Sequence, residues 1–137
     1  MVKYMKTILA TIRPGPLSLI CDFKKMWEVR KHSPKTGAPF RVLCCESGSH
    51  GMIKASFVCD TIVKKYPHEA LTELEQSCVP YESAVAYANG EMLHFWYISE
   101  LKVYDDHCGF FTTDIDVKRP PQSWQYIHTA NEQEEHI

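Results

Sequence analysis

The sequence predicts one α+β domain, a small mixed β-barrel with short helices packed around it. Its 137 residues suffice for one hydrophobic core, and its 45% apolar and 23% charged fractions are typical of a globular protein. Roughly five to seven short segments rich in β-branched and aromatic residues are separated by turn residues. A helical insertion at residues 68–89 divides these segments into two groups.

The first forty residues alternate between strand and helix signals. Lys6–Ile12 alternates enough for a strand, and Arg13–Pro16, with two prolines and a glycine, ends it. Leu17–Asp22 has the apolar density of a short helix, whereas Met26–Lys31 has the pattern of a strand. Two prolines and a glycine then predict a loop over His32–Pro39.

A β-hairpin and two helices are predicted next. Phe40–Cys45 is a dense apolar strand, and Ile53–Val63 is a long β-branched strand after the turn Ser47–Gly51. Helical spacing marks His68–Cys78 and Tyr81–Asn89, which a proline separates.

The last third of the chain ends the domain. Met92–Tyr104 is rich in aromatic and β-branched residues and predicts a long strand or a strand pair, and Asp105–Val117 is irregular. Trp124–Ile127 is the last predicted strand. The domain therefore spans residues 1–127, and the polar, glutamate-containing residues 128–137 predict a disordered tail.

Charge and hydropathy exclude several partners. The formal net charge of −2 gives no global basic footprint, so we expect no duplex DNA partner. The sequence has no apolar run of about 18 residues, the length that predicts a membrane span, and its start lacks a signal-peptide pattern. We therefore expect a cytoplasmic protein. Positive residues nevertheless gather between positions 24 and 41, whereas acidic ones gather around Glu69–Glu82 and in the tail.

The six cysteines predict free thiols. They contain no Cys-x-x-Cys pair, and several lie in apolar runs, where a thiol behaves as a small hydrophobe. A zinc site across the hairpin is disfavoured because the neighbours Cys44 and Cys45 face opposite sides of a strand. A solvated loop explains Asp105–Cys108 as well as a metal cluster does. We therefore expect no metal and no cofactor.

The most informative stretch is Cys21–Arg30. Side chains two apart on a strand share a face, so Glu28 and Arg30 point the same way, with Lys25 at the turn just before them. Trp27 and Val29 take the opposite face, which we expect to be buried. Convergence of three ionisable groups favours ligand binding or proton transfer, although a surface ion-pair cluster is the alternative explanation.

These residues carry a resemblance to a known family. The order of the elements resembles the ASCH domain family, a branch of the PUA-like superfamily, whose pattern is Gly-x-Lys-x-x-Glu-x-Arg. Lys25, Glu28 and Arg30 match this pattern, and Phe23 stands where the family has a glycine, a residue that permits positive φ.

Other segments extend the resemblance over nearly the whole domain. Thr11–Pro14 resembles the Ser-Ile-Lys-Pro that opens many members. Phe57–Asp60 and Arg119–Trp124 are similar to later family segments, so the resemblance runs from Lys6 to Ile127. It implies a compact β-barrel with a cleft, in a family of which many members are linked to RNA or modified nucleosides.

The leading expectation is therefore a cleft that binds single-stranded RNA or a modified nucleoside. Lys25 and Arg30 would hold phosphate or carbonyl oxygens, and Glu28 would accept from an exocyclic amine. Alternation places half of the aromatic residues Phe95, Trp96, Tyr97 and Trp124 in the core. Trp124 is the preferred stacking residue because it follows Arg119 and Gln122, which can hydrogen-bond a base edge or a phosphate. The candidate ligand-binding residues are Arg13, Lys24, Lys25, Glu28, Arg30, Arg119, Gln122, Ser123 and Trp124.

A small hydrolase is the first alternative. The resemblance to an amidohydrolase branch implies a lysine nucleophile or general base at Lys25, acting on an acylated nucleoside, but that branch has a threonine where Glu28 stands. We expect Glu28 to raise the pKa of Lys25 and to keep it protonated, which favours binding over nucleophilic attack. In a ribonuclease, Glu28 would be the base, with Lys25 and Arg30 stabilising the transition-state charge.

Two further readings stay open. Glu82 opens a predicted helix and is a candidate acid, although an N-terminal carboxylate also favours its own helix dipole. The third function class is a protein-interaction adaptor that uses the acidic tail.

Overall fold

The computed structural model describes residues 5–104, 110–115 and 117–127, within which nine strands and three α-helices form. The strands are β1 (Lys6–Ile12), β2 (Trp27–Arg30), β3 (Phe40–Glu46), β4 (Met52–Cys59), β5 (Ile62–Lys65), β6 (Leu93–Tyr97), β7 (Ser99–Val103), β8 (Phe110–Phe111) and β9 (Trp124–Ile127). The helices are α1 (Pro14–Cys21), α2 (Leu71–Gln76) and α3 (Tyr81–Ala88), and two 3₁₀ helices span Pro67–Glu69 and Thr112–Ile115.

The strands form two sheets. The larger sheet has six strands in the order β7-β4-β3-β1-β9, with β8 also paired to β4. Its strands β1 and β3 are parallel because α1 and β2 lie between them in the chain, and its other pairs are antiparallel. The smaller sheet is antiparallel, in the order β2-β6-β5.

The two sheets share a hydrophobic core. Trp96 of the smaller sheet is fully buried in one cluster with residues of β1, α1, β3 and β4. Its ring lies edge-on to Phe40, with the ring centroids 5.1 Å apart. The mixed α+β architecture predicted from the sequence is therefore confirmed, with short helices packed on the strands.

The smaller sheet is covered on both faces. Trp27 and Val29 pack against a second cluster that includes Leu74, Ala84 and Ala88 of the helices, as the strand alternation predicts. The side chains of Glu28 and Arg30 occupy the other face, and they are also largely buried, with 6% and 11% exposed. Burial of this polar face depends on the larger sheet, so it follows from tertiary packing.

Two predicted elements differ from the structure. The single strand expected over Ile53–Val63 is two strands, β4 and β5, which belong to different sheets and are separated at Asp60 and Thr61. The helix expected over His68–Cys78 is a 3₁₀ turn followed by the short α2, because Ala70 leaves helical geometry at φ −115°.

Most remaining elements follow the expectations, although α1 begins at Pro14 and not at Leu17, and β8 is a strand in a segment expected to be irregular. Met92–Tyr104 is a strand pair, β6 and β7, with one strand in each sheet. The described residues of Asp105–Val117 hold the short β8 and a 3₁₀ turn, whereas residues 105–109 and the tail 128–137 lie outside the described residues. Within the described residues, no helix has both the length and the apolar character needed to cross a membrane.

The described cysteines are free thiols with different chemistry. Cys78 is exposed, whereas burial raises the pKa of Cys45 to about 11 and that of Cys59 to about 12. Because the thiolate is the nucleophile and Cys59 is also fully buried, we expect iodoacetamide at pH 8 to label Cys78 first and Cys59 far more slowly. Peptide mass spectrometry over a labelling time course, in a Cys108→Ser background, measures these rates. Equal rates at Cys59 and Cys78 would contradict this prediction.

Candidate functional site

A cleft of about 600 Å³ lies where β2, the start of α1 and the segment before β9 meet. Five of the residues predicted to bind ligand line it, namely Arg13, Glu28, Arg30, Gln122 and Ser123. Its volume falls within the range of small-molecule sites in proteins. The residues that line it come from distant parts of the sequence, so the cleft is a product of the fold.

Arg30 and Glu28 form the wall of the cleft as a connected pair. The Nε and Nη2 atoms of Arg30 donate to Oε2 of Glu28 at 3.2 and 2.9 Å. Arg30 Nη2 also donates to the carbonyl of Thr11 at 3.0 Å, and Nη1 donates to Oγ of Ser123 at 3.1 Å. The guanidinium thus ties β2 to β1 and to the segment before β9.

The hydrogen bonds from Arg30 to Glu28 use only one of the two carboxylate oxygens, Oε2. Among the described residues, Oε1 of Glu28 accepts no hydrogen bond, and Glu28 lines the cleft. A carboxylate held in place by one charged partner is pre-oriented for a donor on a ligand. Glu28 is therefore the buried polar group most suited to contact a ligand here.

Arg13 reaches the cleft because of local sequence. Pro14 restricts the residue before it to an extended conformation and starts α1, so Arg13 stands at the N-cap with φ −64° and ψ 151°. Arg13 is exposed, and within the described parts of the chain its side chain has no hydrogen bond or ion pair. Its guanidinium is therefore available for an anionic or carbonyl oxygen of a ligand.

Gln122 and Ser123 are held at the rim by β1. The backbone N–H of Thr11 donates to the carbonyl of Ser123 at 2.9 Å, and Oγ1 of Thr11 donates to the carbonyl of Pro121 at 2.6 Å. These hydrogen bonds hold the segment before β9 against the end of β1. Both side chains are exposed, so they can exchange water for a ligand.

Lys25 lies outside the lining of the cleft. Its side chain is buried, and Nζ donates to the carbonyl of Ser77, just after α2, at 2.9 Å. Burial lowers the pKa of Lys25, while Glu28 and Cys78 act in the opposite direction and Arg30 lowers it further. Glu28 raises the pKa of Lys25 as expected, but desolvation is the larger effect, so the net direction of the pKa shift is downward.

Solved structures of an ASCH protein from Zymomonas mobilis share this architecture. One of them matches with a TM-score of 0.77 and 14% identity, covering 96% of this chain and 93% of that one. A tyrosine-to-phenylalanine variant matches with a TM-score of 0.77 at 14% identity, covering 96% of both chains. A serine-to-alanine variant matches with a TM-score of 0.78 at 13% identity, covering 98% and 96%.

The chain has the fold of an ASCH domain. The resemblance stated from the sequence is thereby confirmed at the level of the fold. No protein-family model and no curated protein matches the chain.

The backbone at Phe23 explains why the ASCH pattern has a glycine at this position. Phe23 has φ 60°, the left-handed region that glycine adopts without strain and a bulky residue rarely adopts. The turn is therefore kept despite the substitution. Phe23 is 71% exposed and is not among the cleft-lining residues, so it does not narrow the cleft.

Four other predicted residues lie apart from the cleft lining of this ASCH fold. Lys24 and Arg119 are exposed and do not line it. Trp124 packs edge-on against Trp96 at 6.4 Å between ring centroids, and Glu82 is exposed in the first turn of α3. The ligand-binding and catalytic roles of these four side chains stay predictions.

Sequence reasoning missed Tyr87 and Ser47, both of which line the cleft. Tyr87 is 45% exposed on α3, and Nζ of Lys31 lies 5.3 Å from its ring centroid. Helical periodicity does predict that Tyr87 is exposed, since its neighbour Ala88 is buried. Helical periodicity does not indicate that this side of α3 borders the cleft, because that arrangement is set by tertiary packing.

The burial of Lys25 predicts a pH-dependent stability. Its pKa is lowered below 10.5 in the folded state, so the unfolded chain binds more protons in the window between the two pKa values. We therefore expect the wild-type protein to gain stability over Lys25→Met as pH rises through that window. The gain is about 1.4 kcal/mol for each unit of lowering.

Urea denaturation at pH 7, 8, 9 and 10 measures this difference in unfolding free energy. Lys24→Met is the matched control, since Lys24 is an exposed neighbour. A wild-type minus Lys25→Met difference that stays constant over this range would contradict the prediction.

Proposed function

We propose that the cleft binds single-stranded RNA or a modified nucleoside. The observation that supports the proposal is that a cationic, an acidic, an amide and an aromatic residue line one cleft of about 600 Å³. These are the groups that hydrogen-bond base edges, hold phosphates and stack on bases.

Hydrogen bonding to the base is assigned to Glu28 and Gln122. Oε1 of Glu28 accepts from an exocyclic amine, while the amide of Gln122 offers both donors and an acceptor. Arg30 acts through Glu28, since four of its five N–H donors are directed to Glu28, Thr11 and Ser123. Arg30 is therefore a positioning residue in this proposal.

Stacking and phosphate contacts are assigned to the two sides of the cleft. Tyr87 presents a half-exposed ring to the cleft, which supports it as the stacking residue in preference to Trp124. Arg13 holds a phosphate or carbonyl oxygen at the start of α1. Lys31 lies beside the Tyr87 ring. It provides a second positive charge for the phosphates of an RNA longer than the cleft.

A ribonuclease is the second candidate, supported by one observation. Within the described residues, neither Oε1 of Glu28 nor the guanidinium of Arg13 has a hydrogen-bond partner, and both residues line the same cleft. Glu28 would take the proton of a ribose 2′-hydroxyl as the 2′-oxygen attacks the phosphorus, and Arg13 would stabilise the developing charge. The bond from phosphorus to the 5′-oxygen would break, water would give that oxygen its proton, and the products would be a 2′,3′-cyclic phosphate and a 5′-hydroxyl. An amidohydrolase with Lys25 as nucleophile is less supported, because Nζ is engaged with the carbonyl of Ser77 outside the cleft lining.

Fluorescence anisotropy with labelled single-stranded RNA octamers tests the proposal, with nucleosides added as competitors. Tyr87→Leu is expected to weaken binding by about 1–3 kcal/mol, the usual worth of base–aromatic stacking. Arg13→Ala is expected to weaken binding by about 1.5–3 kcal/mol, as the loss of a hydrogen bond from a charged group does. Arg41→Ala is the matched control, because Arg41 is exposed on β3 and does not line the cleft.

The outcomes separate the candidates. Equal losses in Arg13→Ala and Arg41→Ala would place binding elsewhere and overturn the proposal. Mass spectrometry of the incubated RNA detects cleavage. Products that disappear in Glu28→Gln while binding persists would establish the ribonuclease instead of a reader.

A further inference from the structure

A second pocket, of about 300 Å³, lies between the 3₁₀ helix Pro67–Glu69 and α3. It shares no lining residue with the cleft described above. Its lining combines aromatic residues, aliphatic residues and one acidic residue. Among the lining residues are Tyr66, His68, Tyr81, Val85, Ala88 and Glu91.

Helix α3 contributes three of the lining residues because of their spacing along the helix. Tyr81, Val85 and Ala88 lie on one face of the helix, since they are four and three residues apart. Ala88 is buried beneath the pocket. The helix ends at Asn89, which has the left-handed φ of 49°, and the N–H of Glu91 donates to the carbonyl of Ala88 at 3.0 Å. This turn brings Glu91 into the lining of the pocket.

The opposite side is held by the 3₁₀ helix. The backbone N–H of Tyr66 donates to Oε1 of Glu69 at 3.1 Å, which fixes the entry of the chain into that helix. The ring of Tyr66 stacks on that of His68, with centroids 5.9 Å apart and an angle of 15° between the planes. The pocket is thus lined by aromatic rings from both elements.

The segment that forms this pocket is acidic. Residues 66–91 contain five glutamates and no lysine or arginine. Lys65, just outside this segment, is paired with Glu73 at 2.9 Å. A surface of this kind attracts cations and repels phosphates, in contrast to the lysine-rich and arginine-rich stretch near the cleft.

We propose that this pocket binds an organic cation with a methylated nitrogen, such as a quaternary ammonium group. Tyrosine faces attract such a cation through their quadrupole, and Glu91 adds a carboxylate of opposite charge. The aliphatic side chains of Val85 and Ala88 in the lining suit methyl groups better than a hydrated ammonium. The volume is at the lower end of the range for small-molecule sites, which fits a compact head group.

Titrations followed by amide NMR shifts at pH 8 test this proposal directly. Choline is compared with 3,3-dimethylbutan-1-ol, which has the same shape and a carbon in place of the charged nitrogen. We expect choline to bind about tenfold more tightly, the ratio that a cation–π contribution of about 1.4 kcal/mol gives. Equal binding of the neutral alcohol would overturn the proposal.

Substitutions locate the site. Tyr81→Leu keeps an apolar wall and removes a ring, and Glu91→Gln removes the charge of an exposed residue. Both are expected to weaken choline binding several-fold. Tyr126→Leu and Glu75→Gln are the controls, since both residues are exposed and lie outside the pocket. Equal losses in Glu91→Gln and Glu75→Gln would show a general charge effect and overturn the assignment to this pocket.

Two further ligands distinguish the sources of the cation. N-acetyl-trimethyllysine amide represents a modified protein side chain, and phosphocholine represents a lipid head group. The acidic surface predicts that phosphocholine binds more weakly than choline, so the reverse order would contradict the electrostatic argument. Tighter binding of the trimethyllysine amide than of choline would support a methylated protein as the source.

Discussion

Replacing Arg30 by methionine is expected to lower the free energy of unfolding by about 3–5 kcal/mol. The substitution leaves the carboxylate of Glu28, only 6% exposed, without its charged partner. It also removes the donors to the carbonyl of Thr11 and to Oγ of Ser123, which join β2 to the neighbouring segments. A buried charge that loses its partner costs more than the pair contributes, and this asymmetry makes the effect large.

A double-mutant cycle separates the ion pair from the packing. Glu28→Met/Arg30→Met removes both charges and keeps apolar volume, so we expect it to be more stable than Arg30→Met alone. Urea denaturation at pH 7 gives the unfolding free energies of the four proteins. If the double variant lost the sum of the two single losses, the Glu28 carboxylate would not depend on Arg30 for its stability.

The strand period predicted the core of this site from sequence. Because side chains alternate along a strand, Glu28 and Arg30 had to share a face, and the structure joins them through two hydrogen bonds. The element order also identified the fold, since it depends on local patterns of strands, helices and turns. These are short-range properties of the chain, and a single sequence contains them.

The path of Lys25 depends on contacts that the sequence pattern does not contain. At the Phe23 turn, the N–H groups of Lys24 and Lys25 both donate to the carbonyl of Leu19, at 2.9 and 3.1 Å. The Lys25 side chain then meets Ser77, which is far along the chain. Matching a lysine to a family pattern identifies the residue, but the helical region around Ser77 determines where its ammonium lies.

The same reason explains Tyr87 and Trp124. Aromatic residues at strand ends and on helices are suited equally to packing and to stacking on a base. Trp124 is drawn into the shared core by Trp96, while Tyr87 stays half-exposed beside β2. Their different environments follow from how the two sheets and α3 meet, a long-range feature that alternation cannot encode.

Trp96 is the residue at which the two sheets depend most on each other, so Trp96→Ala is expected to lower the unfolding free energy by about 3–5 kcal/mol. Its ring is fully buried and lies edge-on to Phe40 and Trp124, and its Nε1 donates to Oγ of Ser33 at 2.9 Å. The guanidinium of Arg30 is 5.9 Å from the ring centroid. Loss of the ring leaves a cavity between the sheets and removes one of the two hydrogen bonds of the Ser33 hydroxyl, which keeps its bond with Nδ1 of His94 at 2.6 Å.

Trp27→Ala is the matched control for this experiment, since Trp27 lies on the same sheet with its side chain on the opposite face. Trp27 is partly exposed, and its Nε1 donates to Oε1 of Gln76 at 2.8 Å. It packs against helices and not against the larger sheet, so we expect its replacement to cost less than that of Trp96. Trp96→Phe keeps a ring in the core and measures the effect if Trp96→Ala does not fold. Equal losses for Trp27→Ala and Trp96→Ala would mean that the helices stabilise the smaller sheet as much as the shared core does.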